Sequence, residues 1–291
     1  MRSLQYRKDT LRPAQINDKP VTLSRRPCLN RHTEMTTSLL EAVDEVVRLC
    51  GDVAHQRFRT PLTVEWKADG SEVTAADREA EAAARDWIHR RFPGDGIIGE
   101  ELGTEGDRSR RRWLIDPIDG TRSFVRGVPL WGSLIAVELG GTVLAGAINC
   151  PAAGDLVVAA RGEGCWHNGA RTSVSTVGEL SRATILATDQ RFRRNPSRAT
   201  RWASLSERVA MTRSWGDCYG YVLVATGRAE LMADDRMSPW DVAALVPVVE
   251  EAGGVFTDWN GRPGIGPDAI ATNSLLSGEF RRLLGVPETT A

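Results

Sequence analysis

Three acidic pieces of this chain hold residue types that could act together. The central one is the run Trp113-Leu114-Ile115-Asp116-Pro117-Ile118-Asp119-Gly120-Thr121. Three apolar residues lead into Asp116, and a second Asp, a glycine and a threonine follow at once. This places two carboxylates and a hydroxyl at the end of a buried strand. Upstream stands Gly99-Glu100-Glu101, and far downstream Ser238-Pro239-Trp240-Asp241. Carboxylate, carbonyl and hydroxyl oxygens gathered in one place are what a hard divalent cation binds. Carboxylates that close repel one another strongly unless a cation neutralises them.

Taken singly, each piece has an ordinary explanation. Glu100-Glu101 could be a surface pair; on a strand its two side chains would point to opposite sides and serve different positions. Asp116-Pro117 could be a structural turn, in which Pro117 and Gly120 bring Asp116 and Asp119 together. Ser238 reads as an N-cap with Pro239 at the first helical position, which makes Asp241 a capping acid at the third.

The elements that must hold these residues are legible around them. Leu39, Leu40, Val43, Val46, Val47, Cys50, Val53 and Ala54 recur at helical spacing and predict a long helix from near Thr36 or Thr37. A short strand is expected at Val64–Lys67. Thr74-Ala75-Ala76-Asp77 reads as a capping box that opens a second helix to about Arg91. Leu130–Leu139 and Thr142–Asn149 are expected to form a hairpin around Gly140-Gly141, with further strands at Asp155–Ala160 and Gly164–His167. After about residue 181, strand-like pieces (183–187, 211–214, 229–232) alternate with helical ones (197–209, 219–225, 239–252). The domain expectation is therefore a β-rich lobe over 35–180 and an α/β lobe over 181–291. Residues 1–34 are basic and polar, with Pro13, Pro20 and Pro27; they are expected to be a disordered extension or the product of an upstream start, with a cleaved targeting peptide as the alternative.

Composition narrows the function classes. With 291 residues and 41% apolar content the chain can bury a sizeable core. A net charge of −1 gives no general attraction to nucleic acid or to an anionic membrane. The five cysteines show no paired spacing, and the four histidines form no HxxxH or HExxH, which leaves little support for a zinc site or a disulfide frame. No apolar run reaches the roughly 18 residues of a membrane span. A reduced, cytoplasmic setting is expected.

In order and with their neighbours, the pieces resemble the inositol monophosphatase superfamily over about residues 37–285. The first signature of that family reads here as Trp113–Phe124, and the second as Trp240-Asp241-Val242-Ala243-Ala244 followed by Glu251-Ala252-Gly253-Gly254. Gly99-Glu100-Glu101 and Val73-Thr74-Ala75-Ala76-Asp77 match as well. The resemblance implies an α+β fold, the layered α-β-α-β-α sandwich of the inositol monophosphatase and fructose bisphosphatase type. It implies a Mg²⁺-dependent phosphate-monoester hydrolase with two to three metal ions. Glu100, Asp116 and the Ile118 carbonyl would hold the first. Asp116, Asp119 and Asp241 would hold the second, and Glu100 with a water on Asp77 a third, weaker one. Gly120 and Thr121 would meet the phosphate, and Glu101 would stand behind the ligands. Thr121, Asp77 and Glu100 would orient and help deprotonate a water for direct in-line attack. A phosphorylated Asp is the rival mechanism. The resemblance further implies a homodimer and inhibition by lithium.

Substrate choice is read from 214–221. Asp217 occupies a position where inositol-specific members carry a small neutral residue, with Trp215 and Tyr219 beside it; Asp217 also reads as the N-cap of the helix that follows. Asp234 falls seven residues before Asp241, where the family places an acid that contacts substrate. Asp217 and Asp234 could pair with an ammonium group, Asp241 would contact substrate as well, and an aromatic face could receive an imidazole. These features, with Gly127–Leu134, resemble the histidinol-phosphate phosphatase branch and imply that substrate. Two alternatives are an inositol 1-phosphatase and a 3′-phosphoadenosine-nucleotide phosphatase, the latter with Arg191, Arg193, Arg194 and Arg198 as a basic rim. A non-catalytic metal-binding regulator is a remoter one, since it would be expected to lose a metal acid and none is lost. Trp131 could be core or site.

Overall fold

In the computed structural model the described residues are 38–68, 70–107 and 110–287. The expected extension, residues 1–34, lies outside them. The described residues belong to one compact unit.

Helix α1 (Leu39–Arg57) is capped by Ser38 in a capping box with Glu41, slightly later than the spacing implied. Val43, Val46, Val47, Cys50 and Ala54 are wholly buried along one face. Burial of each valine contributes roughly 1.5–3 kcal/mol. A small hairpin of β1 (Glu65–Trp66) and β2 (Glu72–Val73) leads into α2 (Ala75–Arg91). Its capping box forms as expected: Asp77 Oδ2 accepts from the Thr74 N–H at 2.8 Å and from the Thr74 hydroxyl at 2.7 Å.

The large sheet takes β3 (Gly96–Gly99), β4 (Gly103–Glu105), β5 (Arg112–Asp119), β6 (Gly132–Leu139), β7 (Thr142–Cys150), β8 (Asp155–Ala160), β9 (Gly164–His167) and β10 (Ala170–Arg171), with a short helix α3 (Thr121–Val125) after β5. Its spatial order is β10-β9-β8-β7-β6-β5-β3-β4, antiparallel except for β3 against β5. The second sheet takes β11 (Thr184–Leu186), β12 (Met211–Arg213), β13 (Leu231–Asp234), β14 (Val255–Thr257) and β15 (Ala269–Thr272) in the order β12-β11-β13-β15-β14. Between and around these strands run α4 (Pro196–Ser206), α5 (Asp217–Ala225), α6 (Pro239–Ala243), α7 (Leu245–Glu251) and α8 (Ser277–Leu284).

Three apolar clusters define five layers. One joins α1 and α2 to the outer face of the large sheet, through Trp113, Ile115, Ile135 and Val158. A second joins the other face of that sheet to α5, α6 and α7, and these helices to the second sheet through Met232, Phe256 and Ala271. The third places α4 and α8 on the far face, against Ile185, Leu231 and Ile270. The result is an α-β-α-β-α sandwich. Because both faces of the large sheet are covered, its central strands read as nearly continuous apolar runs rather than alternating ones. Trp131 belongs to the core; it is fully buried, with ring centroids 4.8 Å from Phe124 and 5.5 Å from Phe58.

Two local expectations are corrected. The single helix expected over 239–252 is two, because Pro247 has no N–H to offer the carbonyl of Ala243. Pro117 makes no turn. Strand β5 runs on to Asp119, and the register against β6 slips between Asp116 (opposite Leu134) and Asp119 (opposite Gly132). That is a β-bulge of one extra residue, which re-aims the side chains around it. The Ser133 hydroxyl secures it by donating to the Pro117 carbonyl at 2.6 Å.

Candidate active site

The bulge delivers the central acids. Asp116 is buried, and its Oδ1 accepts the Ile118 N–H at 3.1 Å across the bulge. The chain then turns at Gly120, whose φ of 83° is one that a residue with a Cβ resists, and enters α3. The Thr121 hydroxyl donates back to the Ile118 carbonyl at 3.0 Å. Asp241 arrives from the first turn of α6, where its Oδ2 accepts the Ser238 N–H at 2.8 Å. Glu100 comes from the turn after β3.

Carboxylate oxygens of Glu100, Asp116 and Asp241 lie within 4.8 Å of one another. Residues about 125 positions apart in sequence thus meet in one triplet. Asp119 stands outside it, and its carboxylate accepts the N–H of Cys218 at the start of α5. Asp77 is buried with one oxygen committed to Thr74, and is likewise outside the triplet. Burial pushes Asp116 well above the usual carboxylate range, and the charges of Glu100, Asp119 and Asp241 push it further. Asp119 is raised by burial and then by Asp217 and Asp241. Burial, then the charge of Glu100, raises Asp241 to about 7. So many buried and half-buried acids cannot all ionise at neutral pH on their own. An all-oxygen donor set of this kind fits a hard divalent cation, which would remove that penalty.

Glu100 and Glu101 depart from the strand reading. Both lie in the turn after β3, and both reach the same cation: Lys67 Nζ is 2.7 Å from Glu100 and 2.5 Å from Glu101. Burial, partly offset by Lys67, raises Glu101 to about 7. No motif marks Lys67, although it is the only lysine after residue 34 in an arginine-rich chain. The support beneath the turn carries no motif either. Glu81, buried on α2 one turn after Asp77, accepts the N–H of Glu101 at 2.7 Å and of Leu102 at 3.1 Å. Arg85 holds Glu81 in place through Nε at 2.8 Å. A Cβ at Gly99 would lie 1.9 Å from Glu81 Oε1, so the glycine of Gly99-Glu100-Glu101 makes room for Glu81.

The triplet opens onto a cavity of about 540 Å³, lined by Glu100, Gly120, Thr121, Arg122, Asp217 and Asp241 among others. A neighbouring cavity of about 400 Å³ shares Arg122, Thr188, Asp189, Asp217 and Asp241 with it and adds Asp119 and Asp234. Asp217 is therefore on the common wall. It is the first residue of α5 and not its N-cap, which is Gly216. Burial, then Asp234 and Asp241, raises its carboxyl to about 7, against the pull of Arg122. Both carboxylate oxygens of Asp234 already accept a bond, from the Thr188 N–H at 3.1 Å and the Tyr221 hydroxyl at 2.9 Å. Trp215 and Tyr219 line neither cavity: Trp215 is exposed, and Tyr219 sits with Arg228. Trp240 lines the first one instead. Of the four rim arginines, Arg198 is committed elsewhere, 2.7 Å from Asp268 and stacked on Trp259. Arg191 reaches the first cavity but is doubly bonded to Asp189, while Arg193 and Arg194 line the second.

The sequence model of the inositol monophosphatase family matches residues 35–284. The chain belongs to that family. Inositol monophosphatase family members are metal-dependent phosphatases, and this chain is a phosphatase of that class. Among its relatives, the histidinol-phosphatase of Chlorobaculum parvum is 44% identical over 254 residues, covering 86% of this chain and 98% of its own. The histidinol-phosphatase of Mycobacterium tuberculosis is 39% identical over 252 residues, covering 84% and 94%. In structure, the extragenic suppressor protein suhB of Bartonella henselae superposes with a TM-score of 0.80 at 28% identity, covering 84% of this chain and 98% of its own. No described helix is long and apolar enough to cross a membrane.

Proposed function

We propose that this protein hydrolyses L-histidinol phosphate to L-histidinol and phosphate in a Mg²⁺-dependent reaction. The observation that carries the reading is a cavity with two acidic features: the Glu100, Asp116 and Asp241 triplet, and Asp217 on a wall beside it. A phosphate dianion suits the first feature once a cation is bound there. An ammonium group, which inositol phosphate lacks, suits the second. The high identity to two histidinol-phosphatases supports the same substrate.

In this reading Glu100, Asp116, Asp119, Asp241 and the Ile118 carbonyl hold Mg²⁺. When bound, the metal supplies positive charge to the phosphoryl oxygens and lowers the pKa of water. The protein's own groups do the rest. The first turn of α3 has backbone N–H groups with no intrahelical partner, and Gly120 and Thr121 present them to the phosphate. The Thr121 hydroxyl spends its proton on the Ile118 carbonyl, so its oxygen is left to accept from the attacking water. Asp77, fixed by Thr74, and Glu100 complete the acceptors that orient that water. Arg122, on both cavity walls, offers a guanidinium to the phosphate. We assign the active species as a homodimer, which sedimentation velocity checks directly.

The test is phosphate release from L-histidinol phosphate, inositol 1-phosphate and 3′-phosphoadenosine 5′-phosphate, with and without Mg²⁺, beside Asp116→Asn. A preference of tenfold or more in kcat/KM for histidinol phosphate, about 1.4 kcal/mol, supports the assignment. A flat profile or a preference for inositol phosphate rejects it. Asp116→Asn is expected to lose at least about 100-fold, more than the loss of a residue that merely supports a ligand.

A further inference from the structure

Asp217 has a backbone that its helix does not require. A residue at the first helical position ordinarily has a negative φ, yet Asp217 has φ 51°. That left-handed conformation is uncommon for a residue with a Cβ and persists only where neighbours hold it. The neighbour is Thr188, just beyond β11. The Asp217 N–H, which has no partner within the helix, donates to Thr188 Oγ1 at 2.8 Å. The approach is close enough to dictate the preceding residue: a Cβ at Gly216 would lie 2.5 Å from Thr188 Cα and 2.7 Å from its Oγ1. Thr188 is itself braced. Its N–H donates to Asp234 Oδ1 at 3.1 Å, and the other oxygen of that carboxylate accepts from Tyr221, one turn into α5, at 2.9 Å. The Asp234 carbonyl accepts from Trp259 Nε1 at 2.9 Å, which ties the end of β13 to the core.

We propose that Thr188 is a positioning residue for Asp217: its hydroxyl oxygen, braced by Asp234, holds Asp217 left-handed with its carboxylate on the wall common to the two cavities, and so sets selectivity for phosphate esters that carry an ammonium group. The selectivity half of this rests on the substrate reading above. Loss of the Thr188 acceptor leaves the Asp217 N–H without its partner and frees the residue to return to a negative φ. That rotation carries the side chain away from the cavity wall. In this arrangement Asp234 acts through Thr188 as well as lining the second cavity, since both its oxygens already accept bonds from the scaffold.

The experiment compares the full-length wild type, Thr188→Val and Thr188→Ser in Mg²⁺. The two substrates are L-histidinol phosphate and glycerol 2-phosphate, an ester with no ammonium group. In parallel, amide hydrogen exchange is followed at Asp217. Thr188→Val is expected to lower kcat/KM for histidinol phosphate at least fivefold more than for glycerol 2-phosphate, mainly through KM. It is expected to speed Asp217 exchange at least tenfold, and Thr188→Ser to restore both. Equal losses on the two esters, a serine variant as impaired as the valine one, or unchanged Asp217 exchange overturns the proposal. A wild type that does not discriminate between the esters rejects the substrate reading instead. The positioning role is then decided by exchange alone: faster in Thr188→Val sustains it, and unchanged overturns it.

Discussion

Replacing Glu81 with alanine should cripple metal binding although Glu81 lines neither cavity and is no ligand. Its carboxylate is wholly buried and makes three bonds: to the N–H of Glu101 at 2.7 Å, of Leu102 at 3.1 Å, and to Arg85 Nε at 2.8 Å. Arg85 is nearly buried too, with side-chain exposure of 8%. Removing one partner of a buried ion pair costs about 3–5 kcal/mol, because the other charge is stranded. Glu105 lies 3.1 Å from Arg85 and softens that loss, which places the expectation at the lower end. Two backbone bonds to a charged acceptor are lost in the same change, each contributing about 1.5–3 kcal/mol, but they belong to one network and do not simply add. The double variant Glu81→Leu/Arg85→Met removes the stranded charge. It should recover part of the stability yet still leave the turn unanchored. Urea unfolding in EDTA reads the stability of both, and calorimetric titration reads Mg²⁺ affinity. We expect a loss of about 3 kcal/mol for Glu81→Ala, and Mg²⁺ binding weakened by about 10–100-fold in both variants, the effect of losing a group that supports a ligand. If stability falls while Mg²⁺ affinity stays at the wild-type value in both, Glu81 is a core residue with no hold on Glu100, and the reasoning is refuted.

Two further outcomes follow from the same charges. Asp217 and Asp241 are both raised to about 7 in the folded, metal-free protein, from an ordinary value of 3.8. The fold therefore binds more protons than the unfolded chain between about pH 4 and 7, and metal-free stability should fall across that window by about 1.4 kcal/mol per pH unit for each proton involved. Melting curves in EDTA at pH 5 and pH 8 check the sign, a rise towards pH 8 would contradict it, and saturating Mg²⁺ should flatten the difference. Lys67→Met removes the ammonium that faces both Glu100 and Glu101. The metal-free melting temperature should drop more than the Mg²⁺-loaded one, so the Mg²⁺-induced shift should widen; an unchanged shift would mean that Lys67 does not substitute for the metal charge.

The acids proposed to hold the metal stood out in the sequence because each sits on a local signal. Asp116 and Asp119 come just after the apolar run Trp113-Leu114-Ile115, Asp241 comes just after Ser238-Pro239, and Asp77 closes a capping box that forms at 2.8 Å. Layer order came with the family resemblance; apolar periodicity marked the separate helices and strands, not how they stack. What escaped depended on partners far away in sequence. A bulge exists only relative to a neighbouring strand, so Asp116-Pro117 read as a turn until Leu134 and Gly132 fixed the register. Asp217 followed by helical residues looks like an N-cap, and only the approach of Thr188 moves the cap to Gly216 and turns Asp217 left-handed.

Glu81 shows why such residues stay hidden. A glutamate four residues before an arginine on a helix is an ordinary surface pair in most chains, contributing a few tenths of a kcal/mol. Here the pair is buried, and the sign of its burial was present elsewhere, in Gly99, whose missing side chain leaves the space that Glu81 fills. An acidic site needs this kind of foundation. Its own carboxylates repel one another until a metal arrives, so the backbone bonds that Asp116 and Asp241 accept work against that repulsion and need support. That support comes from neighbouring groups: Ser133 under the bulge, Glu81 under the Glu100 turn, Asp234 behind Thr188. Each fixes backbone rather than side chain, and each can be lost while every acid of the triplet remains in the sequence. A chain with all the signature residues intact can therefore still fail as an enzyme, and the variants of Glu81 and Thr188 probe that failure where a signature alone would miss it.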